Sequence, residues 1–348
     1  MALAPWLSVL TQRSTLRALA VATAVSLPAP AVAYFDMYPP TEIARDAKRL
    51  ETAVRRIYRI GILPKLTARE RAAFDAVRFA FPKPKRDDRS LNFYATWQGG
   101  VPTVVMPVLS LKQLEDLTTA YAWLQIKRYS HSTIDLYFAM LSHKLVIDFP
   151  GSRYPDILTG LGIPKDALKD KRIDRLSLSL RNEVIAFILL HELGHLLYRH
   201  KGYADITKRQ AREDELQSDR FALDVLVRTN TPPLGAVLFF QAQAFAMPHR
   251  GQFATENEWR TYLNRAATHP LSTERIALMA DTFEGPFARR RPSEALTWRS
   301  VGSSLRAMKR ILENVDQQRC VVATAKAATL ADLKPTRKSV GLKSCDQG

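Results

Sequence analysis

The residues best suited to chemistry in this sequence are His191, Glu192 and His195, which stand together in the mostly apolar run Arg181–His200, RNEVIAFILLHELGHLLYRH. Residues four apart in a helix lie about 40° from one another around the axis, so the two imidazoles point the same way. Rings on adjacent turns can both reach one tetrahedral zinc ion, at about 2.0 to 2.1 Å each. Glu192 flanks the pair. From there a carboxylate can take a proton from a water held at the metal without itself closing the coordination sphere, which is the chemistry of the HExxH pattern. The residues Val184–Leu190 ahead of His191 are apolar throughout, as a buried active-site helix requires.

Two histidines leave a ligand set incomplete. The metzincin solution, HExxHxxGxxH, fails here because Tyr198 and Lys201 occupy the glycine and third-histidine positions. His200 lies about 140° round an ideal helix from His195, which excludes it from the same metal. The segment AREDELQSDRFALDVLVR supplies the other solution, with Glu215 as a third ligand from a following helix. Asp219 stands one turn further along the same face, where it can accept the ring N–H of a ligating histidine and fix its tautomer. Glu213 and Asp214 have no such downstream companion.

Three runs in order, HELGHLLYRHKG, ELQSDRFA and THPLSTERIALM, resemble the M48 family of gluzincin metallopeptidases. That family's pattern is HExxH, a later ExxxD, and a downstream HP followed by an arginine. The resemblance implies one Zn2+ per chain held by His191, His195 and Glu215, with Glu192 as base and Asp219 behind the ligands. It further implies that His269 and Arg275 line the active site and face the substrate carbonyl oxygen as charge develops. Misfolded or unassembled envelope proteins are the substrates it suggests. One departure is the short interval between the histidine and glutamate helices, which is closer to the thermolysin type.

The elements that must position these residues read as an α+β fold, predominantly helical. Its core is expected to be zincin-like, with a small sheet or edge strand beside the active-site helix. Tyr34 to Phe81 looks largely helical, with Ile43, Ala47, Leu50, Ala53 and Ile57 at helical spacing, as either a partner-facing helix or a packing arm. Alternating β-branched and aromatic residues over Asn92–Val108 predict a hairpin or edge strand, which in a zinc peptidase can hold extended substrate by backbone pairing. Leu111–Leu145 reads as two helices, and the turn-rich stretch Asp148–Asp174 as a loop over the cleft or a join between subdomains. Further helices are expected at Leu234–Ala246, Leu271–Thr282 and about Glu294–Val315. The chain therefore divides into a leader at 1–33, an N-terminal helical region with the edge strand at 34–180, a zinc-binding catalytic core at 181–287 and a C-terminal helix with a stapled tail at 288–348.

Met1–Ala33 reads as an export signal: Arg13 and Arg17 precede a small apolar stretch, and Ala31-Val32-Ala33 fits the small-x-small rule for cleavage. A periplasmic or secreted location follows, with a retained N-terminal anchor as the alternative. The only two cysteines, Cys320 and Cys345, are expected to pair in that oxidising compartment. A net charge of +17 suits either weak attraction to an anionic membrane or cell wall, or a surface that merely stays soluble. No nucleic-acid module is visible. The reading is an exported zinc-dependent endopeptidase acting on polypeptides. Its rival is a zinc-stabilised envelope chaperone or scaffold without turnover, for which a structural zinc should show four protein ligands rather than three.

Overall fold

The structure, a computed structural model, describes residues 37–84, 91–145, 155–202, 205–246, 255–257, 272–337 and 345. It is built around one long helix, α5 (Lys171–Tyr198), which contains the two histidines and their glutamate. Its N-terminus is capped by Asp170, whose side chain accepts from Arg172 N at 3.0 Å. The helix starts well before Arg181, where the apolar run begins. The polar turns ahead of that run are held by the Asp170 cap and by burial of Ile173, Ser177 and Leu180.

Three helices pack against α5. On one side lies α3 (Val108–Lys127), itself covered by α1 (Pro40–Arg56) through Ile43, Leu50 and Val54. On the others lie α6 (Lys208–Arg228) and α7 (Leu234–Ala246). Here α1 acts as a packing arm, tied to α3 by a fork from Arg49 to Glu115 at 2.5 and 2.6 Å. Glu115 also takes Arg181 Nη1 at 2.6 Å, so the charges that hold α1 also hold α5.

The sheet is small and mixed, in the order β1-β3-β2. Strands β2 (Tyr94–Gln98) and β3 (Val101–Val105) form the expected hairpin, paired from Tyr94↔Val105 to Gln98↔Val101. Gly99 and Gly100 join them at φ 57° and 80°, the positive values that a two-residue turn of type I′ requires. Strand β1 (Arg78–Ala80) runs parallel to β3. It ends a segment expected to stay helical to Phe81. That segment instead continues from α1 as a π-turn (Ile57–Ile62) and a short helix α2 (Ala68–Phe74), and then extends. A three-residue strand has no periodicity to read, and only its pairing with β3 defines it.

Helix α4 (Ser132–Met140) packs on α7. Toward the C-terminus come α8 (Thr273–Thr282), α9 (Ala295–Glu313) and one helix more than expected, α10 (Val315–Ala327). The chain restarts there because Asn314 caps it, accepting from Asp316 N and Gln317 N at 2.9 and 3.1 Å. Cys320 of α10 is disulfide-bonded to Cys345. Among the described residues no helix is long and apolar enough to cross a membrane. The leader expected at 1–33 lies outside them.

The seat of α7 depends on Gly235. A Cβ there would lie 2.1 Å from the carbonyl oxygen of Leu180 and 2.8 Å from Val184 N, both backbone atoms of α5. Glu183 completes the junction by accepting from Gly235 N at 3.1 Å. Gly235→Ala is therefore expected to lower stability by about 1 to 3 kcal/mol through overpacking. An unchanged denaturation midpoint would show that α7 does not press on α5 there.

Candidate metal centre

Helices α5 and α6 cross at Gly194, the second variable position of HELGH. A Cβ on Gly194 would lie 3.0 Å from Ser218 Cα and 3.3 Å from Ser218 Cβ, so the missing side chain sets how closely α6 approaches. That approach delivers Glu215 to the histidines. His191 Nε2 and His195 Nε2 are 3.1 Å apart, and Glu215 oxygens lie 3.4 Å from the first and 3.3 Å from the second. All three side chains are largely removed from water, Glu215 entirely.

The triangle is the size a metal would impose. Tetrahedral ligands at about 2.0 to 2.1 Å from a zinc ion sit about 3.3 to 3.4 Å from one another. Its chemistry also fits a cation. Asp219 Oδ1 lies 2.8 Å from His191 Nδ1, so this nitrogen carries a proton and donates it to the carboxylate. With Nδ1 protonated in the neutral ring, Nε2 presents a lone pair to a carboxylate and to a second imidazole. Among the described residues, these three side chains are the one group of such donors close enough to share an ion.

Charges behind the triangle are matched. The Arg275 guanidinium of α8 is buried and forks onto Asp219, with Nε to Oδ2 at 2.6 Å and Nη2 to Oδ1 at 2.9 Å. Its third nitrogen, Nη1, reaches Glu215 Oε2 at 2.6 Å, and the cation lies 5.3 Å from the centre of the Phe240 ring. Burial pushes the Asp219 carboxyl up, but Arg275 and His191 overcome it and hold the group below its ordinary range. Burial opposes charge on His191 as well, yet Glu215 and Asp219 push its imidazole up to about 10. At His195 burial outweighs the pull of Glu215 and holds the imidazole below the usual histidine value. Negative charge from Glu215 and Asp219 thus gathers around the triangle, matched in part by Arg275.

Arg275, expected to face a substrate oxygen, meets Asp219 and Glu215 in the structure. At 3 % exposure, with its donors turned to Asp219 and Glu215, it faces the back of the triangle. Ser272 sets its position by capping α8, accepting from Arg275 N at 3.3 Å. His269 lies outside the described residues. Glu192 is buried beside His191 on α5, 2 % exposed. Sequence reasoning passed over Gly194, although a glycine inside a strongly apolar helix is itself a signal of close approach. It also set aside His200 and Asp214, which meet in the structure at 3.5 Å.

An open groove of about 630 Å³ leads to this centre. One wall is strand β2, from Tyr94 to Trp97; the other is the end of α5 and the turn after it, with His195, Arg199, His200 and Lys201. Trp97 is 46 % exposed, and the Arg199 guanidinium stands 6.0 Å from the centre of its ring. Because β2 is at the sheet edge, its outer side has no partner strand among the described residues.

A family model described as Peptidase U49 matches residues 162–293, the stretch that holds α5, α6, α7 and α8. The match supports a peptidase function. It is not a model of the M48 family, so the likeness drawn from the three motifs is carried no further than peptidase. No curated protein and no solved structure matches the chain.

Helix propensity alone predicts that Gly194→Ala would stabilise α5 by about 1 kcal/mol. The contact with Ser218 predicts the reverse, a loss of about 1 to 3 kcal/mol, with weaker binding of divalent metal as Glu215 is pushed from the histidines. Denaturation and metal titration of the variant decide between the two.

Proposed function

We propose that this chain is an exported, zinc-dependent endopeptidase of gluzincin type that cleaves extended polypeptide segments. The observation that carries the reading is the triangle of His191, His195 and Glu215 atoms, sized for a tetrahedral ion, next to a buried Glu192 and at the end of an open groove. His191, His195 and Glu215 would hold the metal. Once bound, zinc supplies Lewis acidity and makes water acidic near pH 7.

The chain's own residues do the rest. Glu192 takes the proton of the attacking water and then passes it to the leaving amine nitrogen, a transfer worth about 10² to 10⁴ in rate. Asp219 holds His191 with its proton on Nδ1, so that Nε2 can turn its lone pair to a metal. Arg275 orients Glu215 and Asp219 from behind. The outer edge of β2, which has no partner strand among the described residues, offers its backbone donors and acceptors to a substrate strand lying in the groove, a mode that tolerates many sequences. The Cys320–Cys345 disulfide supports an oxidising compartment.

The scaffold reading calls for a fourth protein ligand to close the site. Three gather among the described residues, and the peptidase match favours turnover. Cleavage of reduced casein by the zinc-loaded chain tests the proposal. Glu192→Gln should keep its zinc and lose at least about 10²-fold in cleavage rate; substantial activity in this variant would remove Glu192 as the base. Glu215→Ala should lose most of its bound zinc by elemental analysis, and an unchanged metal content would reassign the third ligand.

A further inference from the structure

The two histidines of the triangle are supported differently. His191 is backed by a carboxylate, whereas His195 Nδ1 lies 2.9 Å from His200 Nδ1. This contact exists because α5 stops at Tyr198. Arg199 takes the left-handed conformation at φ 54°, and His200 N returns to bond His195 O at 3.0 Å. His200, which a continued helix would carry round to another face, is swung back onto the ring of His195.

Two facing ring nitrogens at this distance require one donor and one acceptor. The second nitrogen of His200 decides which. His200 Nε2 lies 3.0 Å from Gln217 Oε1 and 3.5 Å from Asp214 Oδ1, both acceptors on α6. Asp214 is itself held by Gln210 Nε2 at 2.7 Å. With its proton on Nε2 directed to these oxygens, His200 offers a lone pair at Nδ1. His195 must then place its proton on Nδ1, and its Nε2 turns a lone pair to the triangle.

Resting on the metal reading above, we infer that His200 is a positioning residue that holds His195 in the tautomer able to bind the metal through Nε2. The relay runs from Asp214 and Gln217 through His200 to His195. Helix α6 thereby supports both histidines, His191 directly through Asp219 and His195 through an intervening imidazole. The opposite tautomer of His200 would donate to His195 Nδ1, place the proton of His195 on Nε2 and block the metal.

The test uses the full chain and competition with a zinc chelator. His200→Phe retains a ring but no acceptor and should weaken zinc affinity by about 10- to 100-fold, the usual effect of removing a hydrogen-bond partner of a metal histidine. His200→Asn, with an amide oxygen near the place of Nδ1, should recover most of that loss. A purely structural role for the ring predicts the reverse order, with Phe the better substitute. Long-range ¹H–¹⁵N spectra of the zinc-loaded wild type provide a check that needs no variant, and His200 should appear as the Nε2–H tautomer. Wild-type affinity in His200→Phe, or a proton on His200 Nδ1, would overturn the relay alone. A wild-type chain that takes up no zinc would overturn the metal reading and the relay with it.

Discussion

Two buried carboxylates impose the constraint on which this structure depends. Glu215 and Asp219 are 0 % and 1 % exposed, and an ionised carboxylate in a dry interior is costly unless cations and hydrogen bonds surround it. The Arg275 fork answers part of that need. His191 answers more by donating to Asp219, and the remaining negative charge lies at Glu215, facing two ring nitrogens. The negative charge of the pocket is thus concentrated at the triangle. The pocket walls must come from α5, α6 and α8 at once, because the carboxylates, the imidazoles and the guanidinium reside on different helices.

This requirement explains the unusually close packing around α5. Gly194 lets α6 approach at the level of the histidines, and Gly235 seats α7 against the same helix closer to its middle. Phe240 of α7 then lies against Arg275 and excludes water from its charges. Away from the centre, the Arg49–Glu115–Arg181 cluster holds α1, α3 and α5 in a fixed relation. The closely packed interior contrasts with the groove outside it, which Trp97, Arg199 and Lys201 line. Under the proposed function, three fixed side chains beside the edge of β2 would suit binding many extended chains and acting on each at the same atom positions.

Much of this was legible from sequence, and for local reasons. The four-residue step from His191 to His195 and from Glu215 to Asp219 places each pair on one helix face wherever the helix sits. The hairpin was legible because Gly99-Gly100 stands between alternating strands, and the helices at Leu111–Leu145 and Leu234–Ala246 because their apolar patterns are long. The predominantly helical α+β class follows from the same patterns. Strand β1 and helix α10 were not legible. The first is defined by pairing alone, and the second by a cap at Asn314 immediately after another helix ends.

The sequence by itself determined which side chains share a face, because helical and strand periods are properties of the backbone. Only the tertiary structure decided what those faces meet. Arg275 turns to Asp219 and Glu215 because the cap at Ser272 and the packing of α8 on α6 aim it inward, and no spacing within the sequence encodes that direction. His200 illustrates the same division at shorter range. The angle of an ideal helix puts it out of reach of His195, yet one left-handed residue at Arg199 ends the helix and brings it back. A single change of φ has no periodic signature, and its result depends on the oxygens of α6 that wait on the other side.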